Sequence, residues 1–531
     1  MSTCITSNPG FVETDRTDAW DWRWCLALVI GFTVVVRLVF LGHDSLNHAE
    51  VFRVLDSWSG TLGRIRWSPP LQYALLWAVQ RTIGDSELVM RLPSALSGIG
   101  CVVALFFLTR RYVDAWSGVC VAAVAACHAE LVLHSRWVRE SSLEVFMAVL
   151  VTWAGVAAYA NLSRRTILIF LGVSVVAFGT MYTAPLIVFG WIVTLGFQAV
   201  RDPRDRRRGF RLLCGGGVAL IPIFLLWHWW LSGGDLQQGA SETYGIAGGA
   251  WPVDYQVSTL LGWFVSHSYG VLRYVLGVTR LYAPIDTLIA AYELLLIAAA
   301  VTLLWKRVPA LLVATALMLI PTVVVGAMRL WPYGHFFSMI FLVPVACIAI
   351  GCGLRRIAAQ LGRSLPVVLL VLVCLANPAA RALKHTVIYP SETEHLRPVL
   401  QYVDQHAQQG DGIFAYYAIR SVPYYWKRDD VAVLVQPTDD RGNIARFAER
   451  FDEFMADQQR VWFLFTHDWK SERQEWIDHL KRNYRLVDVF KIADASAHLF
   501  ERLSHEAEAS PRLTPLRADP QLANSDAGGL P

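Results

Sequence analysis

The stretch Leu92-Pro93-Ser94-Ala95-Leu96-Ser97-Gly98-Ile99-Gly100-Cys101-Val102-Val103-Ala104-Leu105-Phe106-Phe107-Leu108-Thr109, closed by Arg110-Arg111, decides the fold class. A helix crosses a bilayer with roughly 20 mainly apolar residues, and this run has that length and character. Similar runs are Trp22–Leu41, Trp116–Leu133, Leu143–Leu162, Thr166–Tyr182, Ala184–Val200, Leu212–Leu231, Tyr282–Trp305, Ala310–Met328, Phe336–Ile350 and the shorter Leu365–Ala376. Together they predict a polytopic α-helical membrane protein of about eleven spans. Pro222 and Pro321 read as kinks, which membrane bundles tolerate. Composition agrees: of 531 residues, 55% are hydrophobic, 12% aromatic and only 17% charged. Soluble domains carry about 25% charged residues, so an all-soluble chain is excluded.

The connections carry an orientation signal. Arg110 and Arg111 follow the second run, Arg164 and Arg165 the fourth. Arg201, Arg204, Arg206, Arg207, Arg208 and Arg211 follow the sixth, Lys306 and Arg307 the eighth, and Arg355, Arg356 and Arg363 the tenth. Basic clusters on alternate connections are what the positive-inside rule demands. The expected N-terminus is then cytoplasmic. Loop 42–91, loop 134–142, segment 232–281, turn 329–335 and the C-terminus fall outside. Residues 1–21 read as a polar leader ahead of a signal anchor rather than a cleaved peptide. Val257–Thr279 is apolar but carries Ser258, Ser266, His267, Ser268 and Arg273, and reads as a helix lying at the outer interface. Pro69–Ile83 has a similar character.

Nine cysteines are present, none after Cys374. They read as small apolar residues of membrane helices, with no metal-type spacing. Beyond Leu383 the composition changes. Leu396, Val399, Leu400 and Val403 have helical spacing. Gly412–Tyr417, Val431–Val435 and Val461–Phe465 read as strands, Ile444–Met455 and Trp469–Asn483 as helices. Arg485–Ile492 and His498–Arg502 read as a closing hairpin. The expected organisation is a leader over 1–21, a membrane domain over 22–383, a soluble α/β domain over 384–504 and a disordered polar tail over 505–531.

Three outer places hold candidate chemistry. The first is Leu41-Gly42-His43-Asp44-Ser45-Leu46-Asn47-His48-Ala49-Glu50. A carboxylate just outside the membrane can take a proton from an acceptor hydroxyl, so Glu50 is a candidate base, with Asp44 or His48 assisting. A solvated loop with ordinary charges is the alternative. His48-x-Glu50 on an extended strand could also ligate a divalent metal. The second is Ser135-Arg136-Trp137-Val138-Arg139-Glu140, where Arg136 and Arg139 at i, i+3 would share one helical face. They could grip a phosphate bidentately or anchor the helix by snorkelling. The third is Arg329-Leu330-Trp331-Pro332-Tyr333-Gly334-His335, where Arg329 and His335 either stabilise phosphate or belong to an interfacial belt. Arg37 lies inside the first apolar run, near its end.

The order of these places resembles the dolichyl-phosphate-mannose–protein mannosyltransferase superfamily of GT-C glycosyltransferases. The similarity is greatest to the bacterial branch with lipopolysaccharide-core sugar transferases and lipid A aminoarabinose transferases. Carrying residues are Arg37, the Ala49-Glu50 pair, Ser68-Pro69-Pro70-Leu71-Gln72-Tyr73, Ile83-Gly84-Asp85-Ser86-Glu87-Leu88-Val89-Met90-Arg91-Leu92-Pro93-Ser94, Ser135-Arg136-Trp137-Val138-Arg139 and Trp331-Pro332-Tyr333-Gly334. The family's acidic pair is Asp-Glu, its Asp being the expected base; here Ala49 stands in that place. Ser141 replaces a usual Tyr, and His335 a usual Arg.

The resemblance implies an inverting transfer of sugar from a polyprenyl phosphate to an envelope glycan, lipid or protein. Arg136, Arg139 and Arg37 would hold the phosphate, and Glu50 or Asp44 would act as base. Some relatives use a divalent metal. Membrane lipid is the expected surrounding partner, and no nucleic acid is expected. Two other readings compete. One is a polyprenyl-lipid-binding relative that lost its base, as Ala49 suggests. The other is a transporter, against which stand the charges gathered at one rim and the lack of a clear repeat.

Overall fold

The computed structural model describes residues 21–58, 69–201, 206–232, 252, 254–276, 283–329, 332–333, 336–361, 375–376, 378–388, 394–416, 421–435, 444–466 and 472–503. The leader up to residue 20, the tail 505–531, His335 and nearly all of the short eleventh apolar run lie outside these residues. The chain divides into two compact units, Met1–Glu394 and His395–Pro531.

The first unit is helical. Its elements are α1 (Trp22–Leu38), α2 (His48–Trp58), α3 (Pro70–Thr82), α4 (Glu87–Tyr112), α5 (Ala115–Cys127), α6 (Ala129–Ser135), α7 (Glu140–Ala160), α8 (Arg164–Thr180) and α9 (Ala184–Arg201). They continue as α10 (Arg206–Ser232), α11 (Val257–Val275), α12 (Ala283–Arg307), α13 (Pro309–Ala327) and, after the 3₁₀ segment Phe336–Leu342, α14 (Val343–Leu361). Starts follow local chemistry. Asp21 caps α1 through the Arg23 amide, Asp114 caps α5 through the Ser117 amide, and Pro70 and Pro309 open α3 and α13.

Five helical stretches are long and apolar enough to cross a membrane: α4, α7, α9, α13 and the continuous Ser338–Gln360. A bent pair, α5 with α6, makes a sixth if taken as one span. The unit is therefore a multi-span membrane bundle. Eleven spans are not reached among the described residues: α1 and α8 stop at 17 residues each, α10 and α12 are not among the helices that qualify, and the eleventh run lies nearly all outside the described residues. α4 packs on α5 and α7, α12 on α14, and α9 on α13. A Cβ at Gly353 would stand 2.0 Å from the Leu296 carbonyl oxygen, so α12 and α14 touch backbone to backbone, as small residues permit in membranes.

The single span expected over Trp116–Leu133 is in fact broken. α5 and α6 meet at 62°. His128 at the break is extended, and its Nε2–H donates to the Val275 carbonyl at 3.1 Å. Hydropathy could not report the break, because both halves are apolar.

The second unit carries a five-stranded mixed sheet of order β2-β1-β3-β5-β4. Its strands are β1 (Asp411–Tyr416), β2 (Ala432–Val435), β3 (Arg460–Phe465), β4 (Tyr484–Ile492) and β5 (Ala495–Arg502). β1 runs parallel to β2 and β3, while β5 is antiparallel to β3 and β4. The expected strands and closing hairpin are present. Helix Leu396–His406 lays Val399, Leu400 and Val403 on one core with Ile413, Trp462 and Leu464. Helix Ile444–Ala456 lays Phe447 and Phe451 on the other, with Phe414, Phe463 and Trp476. The alternation along β1 and β3 thus feeds two cores, one per sheet face. Arg460 on β3 ties across to β1 with two 2.7 Å bonds to Asp411.

His498 on β5 is buried, and burial drives its pKa down to about 4. Above the ordinary value of about 6.5 both folded and unfolded states are neutral. As pH falls from there toward 4, the unfolded chain takes a proton that the folded unit refuses, and stability drops by at most roughly 3 kcal/mol. His498→Leu should flatten this slope. The denaturant midpoint of the sheet unit in the full chain should fall less between pH 7 and pH 4.5 than in wild type.

Candidate functional site

The connection between α1 and α2 is held from within. Asn47 and Glu50 form a reciprocal cap on α2: the Glu50 amide donates to Asn47 Oδ1 at 3.0 Å, and the Asn47 amide donates to Glu50 Oε2 at 2.9 Å. Arg91, near the start of α4, adds Nε to Oε1 at 3.0 Å and a terminal nitrogen to Oε2 at 2.8 Å. The Val138 amide gives Oε1 a further bond at 2.8 Å. Glu50 is 0% exposed. Its two oxygens offer about four lone-pair sites, and all are taken. Arg91 is equally committed, since its other donors reach the carbonyls of Leu41, Asp44 and Ser45 at 2.9–3.0 Å.

This corrects the expectation for Glu50. It is the clasp between α2, α4 and the link 136–139, with no lone pair left to receive a substrate proton. The metal expectation is corrected with it. His48 and Glu50 lie on helix α2 rather than an extended strand, and Glu50's oxygens are filled. Glu50 has no oxygen lone pair left for a divalent ion, and no group of three or more His, Cys, Asp or Glu is arranged for one among the described residues. The His48 side chain lies outside the described residues. Asp44 is half-buried beside Arg136.

The arginines also depart from expectation. Residues 136–139 form a non-helical link, so Arg136 and Arg139 do not share a helical face. Arg136 donates to the carbonyls of Val36, Val39 and Phe40 at 3.1, 2.8 and 3.2 Å, closing the C-terminal end of α1. Burial lowers its pKa to about 10, against the pull of Asp44. Arg37 is fully buried and reaches the Ala125 and Ala126 carbonyls freed where α5 breaks, both at 3.4 Å. Gly98 makes room for it: a Cβ there would stand 3.0 Å from Arg37 Nε and 2.6 Å from Ser135 Cβ. Both guanidiniums therefore satisfy helix ends that lipid could not. Arg139 lies over the Trp137 ring at 5.2 Å. Arg329 donates to the Pro252 carbonyl at 2.8 Å and lies over Tyr255. His335 lies outside the described residues. Asp44, Glu50 and Arg136 are thus drawn into one rim with Arg91.

Sequence reading passed over several partners. Arg53 on α2 grips Glu140, the first residue of α7, through Nε at 2.8 Å and a terminal nitrogen at 3.0 Å, and also donates to the Ala49 carbonyl at 2.9 Å. Burial lowers the Arg53 pKa, but the Glu140 carboxylate outweighs it and the net shift is upward. Tyr182 and Tyr73 lie within electrostatic reach of this pair. One turn deeper, buried Glu144 accepts from the Thr183 hydroxyl. Tyr274 on α11 meets His134 at 3.2 Å, and Glu130 approaches the same imidazole at 3.7 Å. The available signal was an ionisable residue at the edge of an apolar run: Arg91, Glu130, Glu140 and Glu144 all stand so.

Comparison with known proteins follows this geometry. Residues 68–230 match the Dolichyl-phosphate-mannose-protein mannosyltransferase family. That stretch holds Arg91, the link 136–139, Glu140 and Glu144. The fold is that of ArnT from Cupriavidus metallidurans. The apo state superposes with a TM-score of 0.54 at 13% identity, covering 90% of this chain and 97% of that one. The same protein bound to undecaprenyl phosphate gives 0.52 at 14% identity, covering 90% and 98%. The Archaeoglobus fulgidus oligosaccharyltransferase, in complex with Zn and sulfate, gives 0.48 at 12% identity, covering 83% and 67%. No curated protein matches the sequence. The family resemblance is matched over residues 68–230, and the ArnT structures share the fold.

Breaking a buried, hydrogen-bonded ion pair typically costs about 3–5 kcal/mol, because the surviving charge is stranded. Glu50→Ala and Arg91→Ala should each lower the thermal unfolding midpoint in lipid nanodiscs markedly. Asp44→Ala, outside the clasp's side-chain bonds, should lower it much less.

Proposed function

We propose that this protein is a membrane glycosyltransferase that moves a sugar from a polyprenyl-phosphate donor to an envelope acceptor on the extracytoplasmic face. The acceptor is a glycan, a lipid or a protein. The family match over 68–230 carries the reading. The ArnT fold, in a protein that binds undecaprenyl phosphate, supports the donor class.

In this reading the chain spans the membrane eleven times from a cytoplasmic N-terminus. The alternating basic clusters support that orientation. Loop 42–91, the link 136–139 and the turn after α13 then share the outer face, and the 384–504 domain follows on the same side. A donor enters sideways from lipid, and its phosphate meets Arg139 and, across the rim, Arg329. Arg136 and Arg37 contribute positive potential from fixed positions at helix ends. Preorganised cations of this kind stabilise charge that develops on a leaving phosphate. The acceptor oxygen attacks the sugar's anomeric carbon, the bond from that carbon to the phosphate oxygen breaks, and its electron pair stays with the polyprenyl phosphate. The configuration inverts. The acceptor proton passes to a base at the rim, with Asp44 and His48 as candidates from the loop and Glu50 holding the frame.

One observation favours a second reading, a polyprenyl-lipid-binding relative without catalysis: Ala49 has no carboxylate, and Glu50 beside it is fully bonded. Purified protein in nanodiscs, given radiolabelled polyprenyl-phosphate sugars and an envelope acceptor fraction, separates the two. The transferase reading predicts label transfer to acceptor, reduced at least about tenfold by Arg139→Ala, as expected for loss of an electrostatic stabiliser. Donor binding with no transfer of any sugar would establish the lipid-binding relative instead.

A further inference from the structure

Four of the described carboxylates near the link 136–139 differ sharply in their surroundings. Glu50 has four donors and no exposure. Glu144 is 4% exposed and held by Thr183 one turn deeper on α7. Asp44 sits in the loop after α1, beside Arg136. Glu140 is the first residue of α7, with its side chain 13% exposed. Each Glu140 oxygen takes one bond from Arg53, at 2.8 and 3.0 Å, the residue's own amide adds one more, and of about four lone-pair sites one is left beyond these three.

The arrangement around Glu140 fixes a carboxylate without exhausting it. Arg53 grips it side-on, a geometry that sets both the plane and the direction of the group. Arg53 is itself steadied by the Ala49 carbonyl at 2.9 Å. Ala49 brings no carboxylate of its own, so the guanidinium's paired edge accepts one from α7. The N-terminal end of α7 favours a negative charge at that position. Tyr73 and Tyr182 lie within electrostatic reach of Arg53. The helix places Glu140 at the membrane's outer edge, next to Arg139 of the proposed phosphate site.

We propose that Glu140 is the general base of the transfer and that Arg53 positions it. The inference rests on the transferase reading above. The acceptor hydroxyl gives its proton to a lone pair of Glu140 as its oxygen bonds to the anomeric carbon. The bond from that carbon to the phosphate oxygen breaks, and polyprenyl phosphate leaves with the electron pair. Charge is conserved: the carboxylate becomes a neutral acid, and the phosphate gains the negative charge. Glu50, which the loop sequence puts forward, holds α2 and α4 so that Arg53 faces α7.

The test is transfer and donor binding in nanodiscs for wild type, Glu140→Gln, Glu140→Asp and Asp44→Asn. A positioned base contributes about 10²–10⁴ in rate, so Glu140→Gln should transfer at least about 100-fold more slowly. Its donor Kd should stay within about threefold of wild type, since a base does not hold the donor's phosphate. Glu140→Asp, which keeps a carboxylate, should be faster than Glu140→Gln. Should Glu140→Gln fail to fold through a stranded Arg53, the double variant Arg53→Met with Glu140→Gln removes both charges and should fold yet remain inactive. Transfer by Glu140→Gln or by the double variant near the wild-type rate would overturn the assignment, as would equal rates for the Gln and Asp variants. Loss confined to Asp44→Asn would overturn it too and put the base in the loop. Failure of the transferase reading looks different: wild type itself binds donor and transfers nothing, which overturns both proposals together.

Discussion

The rim around the link 136–139 is built on one buried ion pair, Glu50 with Arg91. The pair bonds through both carboxylate oxygens and lies away from solvent. Burying two charges is costly, and the cost is offset only when every lone pair and proton finds a partner. Here that condition is met: Glu50 also receives the Asn47 and Val138 amides, and Arg91 also serves three loop carbonyls. Three otherwise independent segments are thereby fixed. They are the loop after α1, the start of α4 and the link before α7. Charges in this part of the fold define geometry before they define reactivity.

The same logic governs Arg37 and Arg136. A helix that ends inside a membrane bundle leaves carbonyl oxygens without partners, and no water is available to satisfy them. α1 ends under Arg136, and α5 breaks over Arg37. Two arginines that suggest a phosphate grip are occupied with backbone. Their positive charge still shapes the field at the rim. The contrast with Arg53 and Glu140 is instructive. That pair is bidentate, faces the rim and leaves a lone pair on the carboxylate. A chemically useful carboxylate combines fixed orientation with unused acceptor capacity, and among the rim carboxylates Glu140 has both.

Much of this was legible in the sequence. The run from Leu92 to Thr109 forms most of α4, and the strands at 412–417 and 461–465 fall within a residue of β1 and β3. Such features are local: length, apolarity and alternation determine them. The Asn47-x-x-Glu50 cap was also readable, since both partners lie within one turn. What escaped was tertiary. The break at His128 carries a side-chain bond to the carbonyl of Val275, far along the chain, and lies inside a run that is apolar by average hydropathy. The commitment of Glu50 depends on Arg91 and Val138, neither of which is adjacent in sequence. The i, i+3 spacing of Arg136 and Arg139 suggested a shared helical face, but α6 ends at Ser135 and the spacing loses its meaning. Glu140 closed the second candidate stretch but was given no role, because Arg53, the residue that orients it, lies 87 positions earlier.

The account's central claim is that Glu50 and Arg91 act as one unit that builds the rim. A double-mutant cycle on Glu50→Gln and Arg91→Met, read as unfolding free energy in nanodiscs, measures that directly. Residues sharing one buried network couple by up to about 3 kcal/mol, and the account predicts a coupling of about 2 kcal/mol or more, with the double variant far less destabilised than the sum of the singles. Additive effects, with a coupling within about 0.5 kcal/mol of zero, would contradict it and return Glu50 to the pool of available bases.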